Sequence, residues 1–307
     1  MEPQNRREFL AAAAAVPLIL QGRGAQTTTP AAPRGMYVSI HQASTARFDF
    51  KASCEGISKA GVRGVEVDIA KVQQFAQTES LPKAKQLLAD LGLRVASASN
   101  HLGFVDASAQ QFQGLMDQLK TKLEVVQAIG GDRIVCPSTL NREATEDDFK
   151  RGAENMVKGG ELAKTYGVTL MLEFAKTSRL ANSIQTALRI IREANHPNAR
   201  VMLDTFHFYG GVGKVEDLEL LRDGELAHLH FEDIPDMPRE QLNSQQSRLF
   251  PGEGVAPLKR TIEILKRKGY SGPASMELFQ ATTPVAQNLD PFQLASKAKA
   301  AIEPLIA

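Results

Sequence analysis

A single-domain α/β fold, a (β/α)8 or TIM barrel, follows from three features of this sequence. From residue 36 onward, eight short apolar runs alternate with longer segments of helical spacing. The runs are continuously apolar more than alternating, as in Val168-Thr169-Leu170-Met171-Leu172, which suits parallel strands buried on both faces. The eight units fill about 270 residues, close to the ~250 typical of such a barrel. A doubly wound open sheet is the rival, and it usually offers a glycine-rich phosphate turn after its first strand. Here that stretch reads Ile40-His41-Gln42-Ala43-Ser44, without a glycine.

In chain order the predicted strands cover residues 36–40, 64–68, 94–100, 133–137, 168–174, 200–204, 226–231 and 273–278. Between them, residues 109–129 have helical spacing and stop at Gly130-Gly131. Thr145 is placed to N-cap a helix over 146–166, which Gly167 closes. Residues 258–268 put Ile262 and Leu265 on one face and basic residues on the other, and end at Gly269. No internal repeat and no long linker follows Gly35, so residues 35–307 read as one barrel domain.

Residues 1–34 stand apart. Asn5-Arg6-Arg7-Glu8-Phe9-Leu10 precedes an apolar run from Ala11 to Leu20, and a Gly/Gln/Thr/Pro-rich stretch follows. A basic start, a short apolar run and a small-residue exit form a secretory signal, and Arg6-Arg7 with Phe9-Leu10 resembles the twin-arginine type. The run of ten is about half of the ~20 residues a membrane-spanning helix needs. The expected location is therefore the periplasm, with residues 1–34 as signal and linker and no membrane span.

Charge narrows the partners. The 307-residue chain has a formal net charge of +1. Residues 1–34 carry four basic against two acidic side chains, and the remainder carries 32 against 33. A near-neutral barrel has no general pull toward nucleic acid or anionic membranes, which leaves a small molecule as the partner. Homo-oligomerisation is compatible with the sequence. The two cysteines, Cys54 and Cys136, have no spacing that demands pairing and read as separate, buried thiols.

Chemistry in such a barrel lies at the C-terminal strand ends. Five of six histidines fall on or just past a predicted strand end: His41, His101, His207, His228 and His230; His196 does not. Carboxylates gather there too, at Glu66, Asp68, Glu173, Asp204 and Glu277. Glu173, Asp204 and Glu277 each follow apolar residues, where a charge is costly unless paired or metal-bound. His228 and His230 are two apart in a strand and so point together into the barrel. Glu173, Asp204, His230 and Glu277, from strands five to eight, form an oxygen-rich set suited to one divalent cation of the Mg or Mn type. His228 reads equally as a core histidine or as a donor to a ligating carboxylate. Glu66 and Asp68 serve equally as caps of the following segment or as site acids, and Glu66 is kept as a candidate substrate-binding residue.

Several motifs carry a resemblance over the whole chain after Gly35: Leu172-Glu173, Asp204-Thr205-Phe206-His207, His228-Leu229-His230-Phe231-Glu232-Asp233, Phe250-Pro251-Gly252-Glu253-Gly254 and Met276-Glu277-Leu278. Together they resemble the xylose isomerase-like TIM-barrel family of sugar phosphate isomerases and epimerases. The resemblance implies one divalent metal, Mn, Mg or Co with Zn as an alternative, held by Glu173, Asp204, His230 and Glu277. It implies substrate contacts from His207, from Arg248 just before Pro-Gly-Glu-Gly, and from His101. It departs from the family at Lys176, where Asn is common, and at Ser178-Arg179, where epimerases tend to have a further acid. Those two cations suggest an anionic or oxidised substrate, or simply point into solvent.

The expected reaction is isomerisation or epimerisation of a sugar or small hydroxy-carbonyl compound through an enediolate, with Glu173 and Glu277 as proton-transfer groups. Alternatives are an exported lyase or hydrolase acting on 3-keto-glycosides or other oxidised sugars, and a non-catalytic sugar-binding barrel, against which the intact ligand set argues. A metal-dependent endonuclease on this fold would need a basic DNA face.

Overall fold

The computed structural model describes residues 35–99 and 103–307. Residues 1–34 and His101 lie outside the described residues, as do Asn100 and Leu102. Eight parallel strands close into a barrel in sequence order: β1 (Tyr37–His41), β2 (Gly64–Asp68), β3 (Arg94–Ser99), β4 (Arg133–Pro137), β5 (Thr169–Glu173), β6 (Ala199–Asp204), β7 (Leu226–His230) and β8 (Pro273–Met276). The last strand pairs with the first, Tyr37 opposite Pro273 and Ile40 opposite Met276. Each predicted strand is present, with ends moved by at most two residues.

The helices lie outside the barrel: α1 (Phe50–Lys59), α2 (Ile69–Thr78), α3 (Leu81–Asp90), α4 (Ala109–Ala128), α5 (Glu146–Thr165), α6 (Ile184–Ala194), α7 (Thr205–Tyr209), α8 (Leu258–Arg267) and α9 (Pro291–Ile306). Thr145 is the residue before α5, and its N–H and hydroxyl both donate to Asp148. Asp68 caps α2 by accepting from Ala70 N at 2.9 Å, which gives one of the two acids on β2 a structural role. Among the described residues, no helix is long and apolar enough to cross a membrane.

Strand alternation divides the core in two. Leu170 and Leu172 on β5, Val201 and Leu203 on β6 and Ile134 and Cys136 on β4 join the large apolar cluster under the helices. Val135, Met171, Met202 and Ala227 form a separate cluster. Met171 shares its side of the strand with Glu173, and Met202 with Asp204, so this small cluster fills the barrel directly beneath the acids. Cys54 and Cys136 are both free and buried. His196, the histidine away from the strand ends, packs where a β-carbon on Gly160 would sit, and its Nε2 meets Glu161 at 3.0 Å.

Candidate metal centre and its surroundings

Four consecutive strands deliver the predicted set to one point. Glu173 ends β5, Asp204 ends β6, His230 ends β7, and Glu277 directly follows β8. One donor atom from each lies within 4.8 Å of the others. His230 Nδ1 is 3.2 Å from Glu277 Oε2, 3.6 Å from Glu173 Oε1 and 3.7 Å from Asp204 Oδ2. That nitrogen is buried and has no hydrogen-bond partner among the described residues. An unpartnered imidazole nitrogen facing three carboxylates suits a cation-binding site, since most buried polar atoms are paired. Three oxygens and one nitrogen fit a divalent ion of the Mg, Mn, Co or Zn kind.

Behind His230 stands Glu66. It is fully buried, and its carboxylate accepts from His228 Nε2 at 2.7 Å, from His230 Nε2 at 3.0 and 3.1 Å and from Ser275 Oγ at 2.9 Å. His41 Nε2 is 3.6 Å away. Burial works to raise the Glu66 pKa, but His230, His228 and His41 outweigh it and hold the carboxyl well below its usual range. An ionised carboxylate only accepts, so both imidazoles donate through Nε2, and His230 turns Nδ1 to the acids. Glu66 was expected to contact substrate; it lies instead beneath the cluster of three acids, with its oxygens spent on His228, His230 and Ser275. His41, Glu66 and His230 also bring donor atoms within 4.8 Å of one another. That trio shares His230 through the opposite nitrogen and backs the first group.

Arg248 also departs from expectation. Only 1% exposed, it lies between the rings of Phe206 and Phe279, 4.8 and 5.0 Å from their centres. Its guanidinium meets Asp204 Oδ2 at 2.9 Å, Glu232 Oε1 at 2.8 Å and Glu277 Oε2 at 3.2 Å. Three acids claim its donors, so it orients Asp204 and Glu277, two carboxylates of the cluster, from behind. Burial opposes ionisation of Asp204, but Arg248 and then His207 bring it well below the usual range. Burial raises Glu173 to about 7, Glu277 and Asp204 adding to it against the pull of His230. Glu277 falls to about 2 despite burial, because His230, Arg248 and His41 surround it. Ser44 holds the Glu277 backbone from both sides, donating to Met276 O at 3.2 Å and accepting from Leu278 N at 2.8 Å.

His207 N donates to Asp204 Oδ1 at 2.9 Å. Its Nδ1 accepts from Lys176 N at 3.4 Å, which leaves the proton on Nε2, 3.9 Å from Asp204 Oδ2. Burial lowers its pKa, so a neutral N–H points at the cluster. Lys176 neither enters the site nor points to solvent: Nζ donates to Arg239 O at 2.6 Å and Leu242 O at 2.9 Å, strapping the loop above the site. Arg179 is exposed.

The Glu232-Asp233 pair explains part of the motif pattern. Glu232 accepts from Phe206 N at 3.1 Å and pairs with Arg248; burial and the neighbouring Asp204 raise its pKa well above the usual carboxyl value. Asp233 accepts from the N–H groups of Gly252, Gly254 and Ala256 at 2.9–3.1 Å and so fixes the Pro-Gly-Glu-Gly loop. A β-carbon on Gly254 would meet Ile234 O and lie 2.6 Å from Asp233 Oδ1. His41, Glu232, Asp233 and Ser275 are site residues that sequence reasoning did not assign. His41 carried the same strand-end signal as the others, and Glu232-Asp233 lay inside a quoted motif; Ser275 had no signal of its own.

Comparison with known proteins agrees with this geometry. The family model described as xylose isomerase-like TIM barrel matches residues 54–302. An inosose isomerase of Halalkalibacterium halodurans is 26% identical over 230 residues, 74% of this chain and 81% of that protein. A 3-dehydroshikimate dehydratase of Pseudomonas putida is 25% identical over 238 residues, 76% of this chain but only 37% of the longer relative. Among solved structures, a crystal structure of the protein IOLI with a bound zinc atom superposes with a TM-score of 0.81 at 21% identity, over 88% of this chain and 98% of that one. The chain belongs to the xylose isomerase-like TIM barrel family.

Proposed function

We propose that this protein is a divalent-metal-dependent isomerase or epimerase of a sugar or small hydroxy-carbonyl compound. The observation that carries the reading is the orphaned His230 Nδ1 among Glu173, Asp204 and Glu277. Those four side chains would hold the ion. Bound there, it supplies a Lewis acid that polarises a carbonyl and stabilises charge on adjacent oxygens.

Glu173 and Glu277 come from the two ends of the four-strand arc and approach a substrate from opposite sides. One removes a proton from the carbon next to the carbonyl; the same or the other returns it. Return from the opposite face inverts the centre, and return to the neighbouring carbon moves the carbonyl. The neutral Nε2–H of His207 donates to a substrate oxygen. Arg248 and Glu66 hold Asp204, Glu277 and His230 in place. Lys176 is committed to two carbonyl oxygens and Arg248 to three acids. Neither is left to bind a substrate anion, which favours an uncharged polyol ketone.

The relationship to a dehydratase favours a second reading on the same proton abstraction. Where the carbon next to the carbanion bears a leaving oxygen, elimination follows, as in a lyase acting on 3-keto-glycosides or other oxidised sugars. Incubation of the metal-loaded protein in heavy water with ketoses, aldoses and keto-glycosides tests both. Carbon-bound deuterium in recovered sugar supports isomerase chemistry, and a released aglycone supports the lyase. Binding without exchange or release in any compound overturns both.

Export to the periplasm is part of the proposal and rests on Arg6-Arg7 and the apolar run from Ala11 to Leu20. Fusion of residues 1–34 to a reporter tests it: export that fails when both arginines become lysine supports a twin-arginine signal.

A further inference from the structure

Cations ring the end of the barrel opposite the acids. Arg94 opens β3, Arg133 opens β4, and Arg200 is the second residue of β6. Arg133 shares its side of the strand with Val135, and Arg200 with Met202, so both point along the barrel interior below the Val135/Met171/Met202/Ala227 cluster. With Tyr37, Tyr270, Arg222 and Lys268 they line a cavity of about 550 Å³, to which Asp132 contributes the one carboxylate.

Some of these charges are satisfied. Arg133 donates to both oxygens of Asp132, at 2.7 and 3.1 Å, and to Ala227 O at 2.6 Å. Lys268 pairs with Glu219 at 3.4 Å. The others are not. Arg200 spends one nitrogen on Gly224 O. Arg94 lies 5.7 Å from the centre of the Tyr37 ring. No acceptor among the described residues bonds the guanidinium of Arg94 or Arg222. A concave wall with several like charges and few counter-charges raises the local concentration of anions, and guanidinium forks match carboxylate and phosphate oxygens in pairs.

We propose that this mouth binds a compact multivalent oxyanion, a polycarboxylate or a phosphate ester, independently of the metal centre. The volume is that of a small-molecule site. The apolar cluster separates it from the acids, so an occupant cannot be the substrate of the reaction proposed above.

Calorimetric titration of the full, metal-loaded chain with inorganic phosphate and with tricarballylate, at fixed ionic strength, tests the site. One-to-one binding of either anion is expected, and the tighter of the two identifies the class. Arg94→Ala and Arg200→Ala should each weaken it by roughly tenfold or more, while Glu173→Gln leaves it unchanged. Unchanged unfolding midpoints without anion show that the variants are folded. Should an alanine variant not fold, Arg94→Lys and Arg200→Lys keep the charge but lose the fork and still weaken binding. Absence of binding by both anions overturns the proposal. So does binding that survives in the arginine variants or disappears with Glu173→Gln.

Discussion

Glu66 accepts a hydrogen bond from His230 Nε2 at 3.0 Å from within the barrel, and this contact decides which imidazole nitrogen faces the three carboxylates. The same carboxylate accepts a hydrogen bond from His228 Nε2 at 2.7 Å, so one buried charge orients two rings. Partners of this kind behind a metal ligand matter nearly as much as the ligand itself.

Glu66→Gln tests that role. An amide oxygen cannot serve two imidazole donors and Ser275 with full charge, so His230 loses its fixed orientation. Divalent-metal affinity, read by competition with a chromophoric chelator, should fall by about 10- to 100-fold in a protein with an unchanged circular dichroism spectrum. Unaltered affinity would show that Glu66 does not position His230.

Metal binding should release protons. In the metal-free protein burial favours the neutral His230 ring, but Glu66 and Glu277 overcome it and raise its pKa well above the ordinary value. The ion must therefore displace a proton from Nδ1. Affinity should rise with pH by up to about tenfold per unit while one proton is displaced. Calorimetry in two buffers of different ionisation enthalpy counts the protons; a count of zero contradicts the ligand assignment.

Glu173→Gln and Glu277→Gln remove the groups assigned to proton transfer. Each should leave a folded barrel with turnover reduced by about 10²- to 10⁴-fold, measured as deuterium exchange into the substrate. Full turnover in both would sink the mechanism.

Gly254→Ala tests the loop that carries Pro-Gly-Glu-Gly. Its new methyl would press on Ile234 O and Asp233 Oδ1, costing about 1–3 kcal/mol of stability. Urea unfolding should show a lower midpoint with an unchanged slope.

Acid stability has an identified contributor. The Arg142 guanidinium and the Thr145 N–H, both donating to Asp148, keep its carboxyl far below its ordinary value against the effect of burial. A depressed carboxyl contributes stability above its unfolded pKa of ~3.9, and that contribution fades as the pH falls toward the folded value. Asp148→Asn should therefore cost about 1–2 kcal/mol at pH 7 and less at pH 3. An equal cost at both pH values would contradict this account.

The barrel was legible because its signals are local. The runs Leu170-Met171-Leu172-Glu173 and Val201-Met202-Leu203-Asp204 announced themselves as apolar stretches ending in an acid, and Thr145 and Gly167 marked the ends of α5. The convergence of Glu173, Asp204, His230 and Glu277 followed from the rule that places barrel chemistry at C-terminal strand ends. Alternation also put His228 and His230 on one face. What the chain could not reveal was how charges satisfy one another across strands far apart in sequence. Glu66 and Asp68 are two residues apart and read alike, yet Asp68, the last residue of β2, caps α2, while Glu66, inside the strand, lies beneath His230. Arg248 looked like a substrate contact, and Lys176 read equally as a sign of an anionic substrate or as a solvent-facing cation, until closure of the barrel brought three acids to the first and two carbonyls to the second. Residue types and strand-end positions are one-dimensional information. Which donor meets which acceptor is set by the closed barrel, whose low-dielectric interior leaves few charges unpaired.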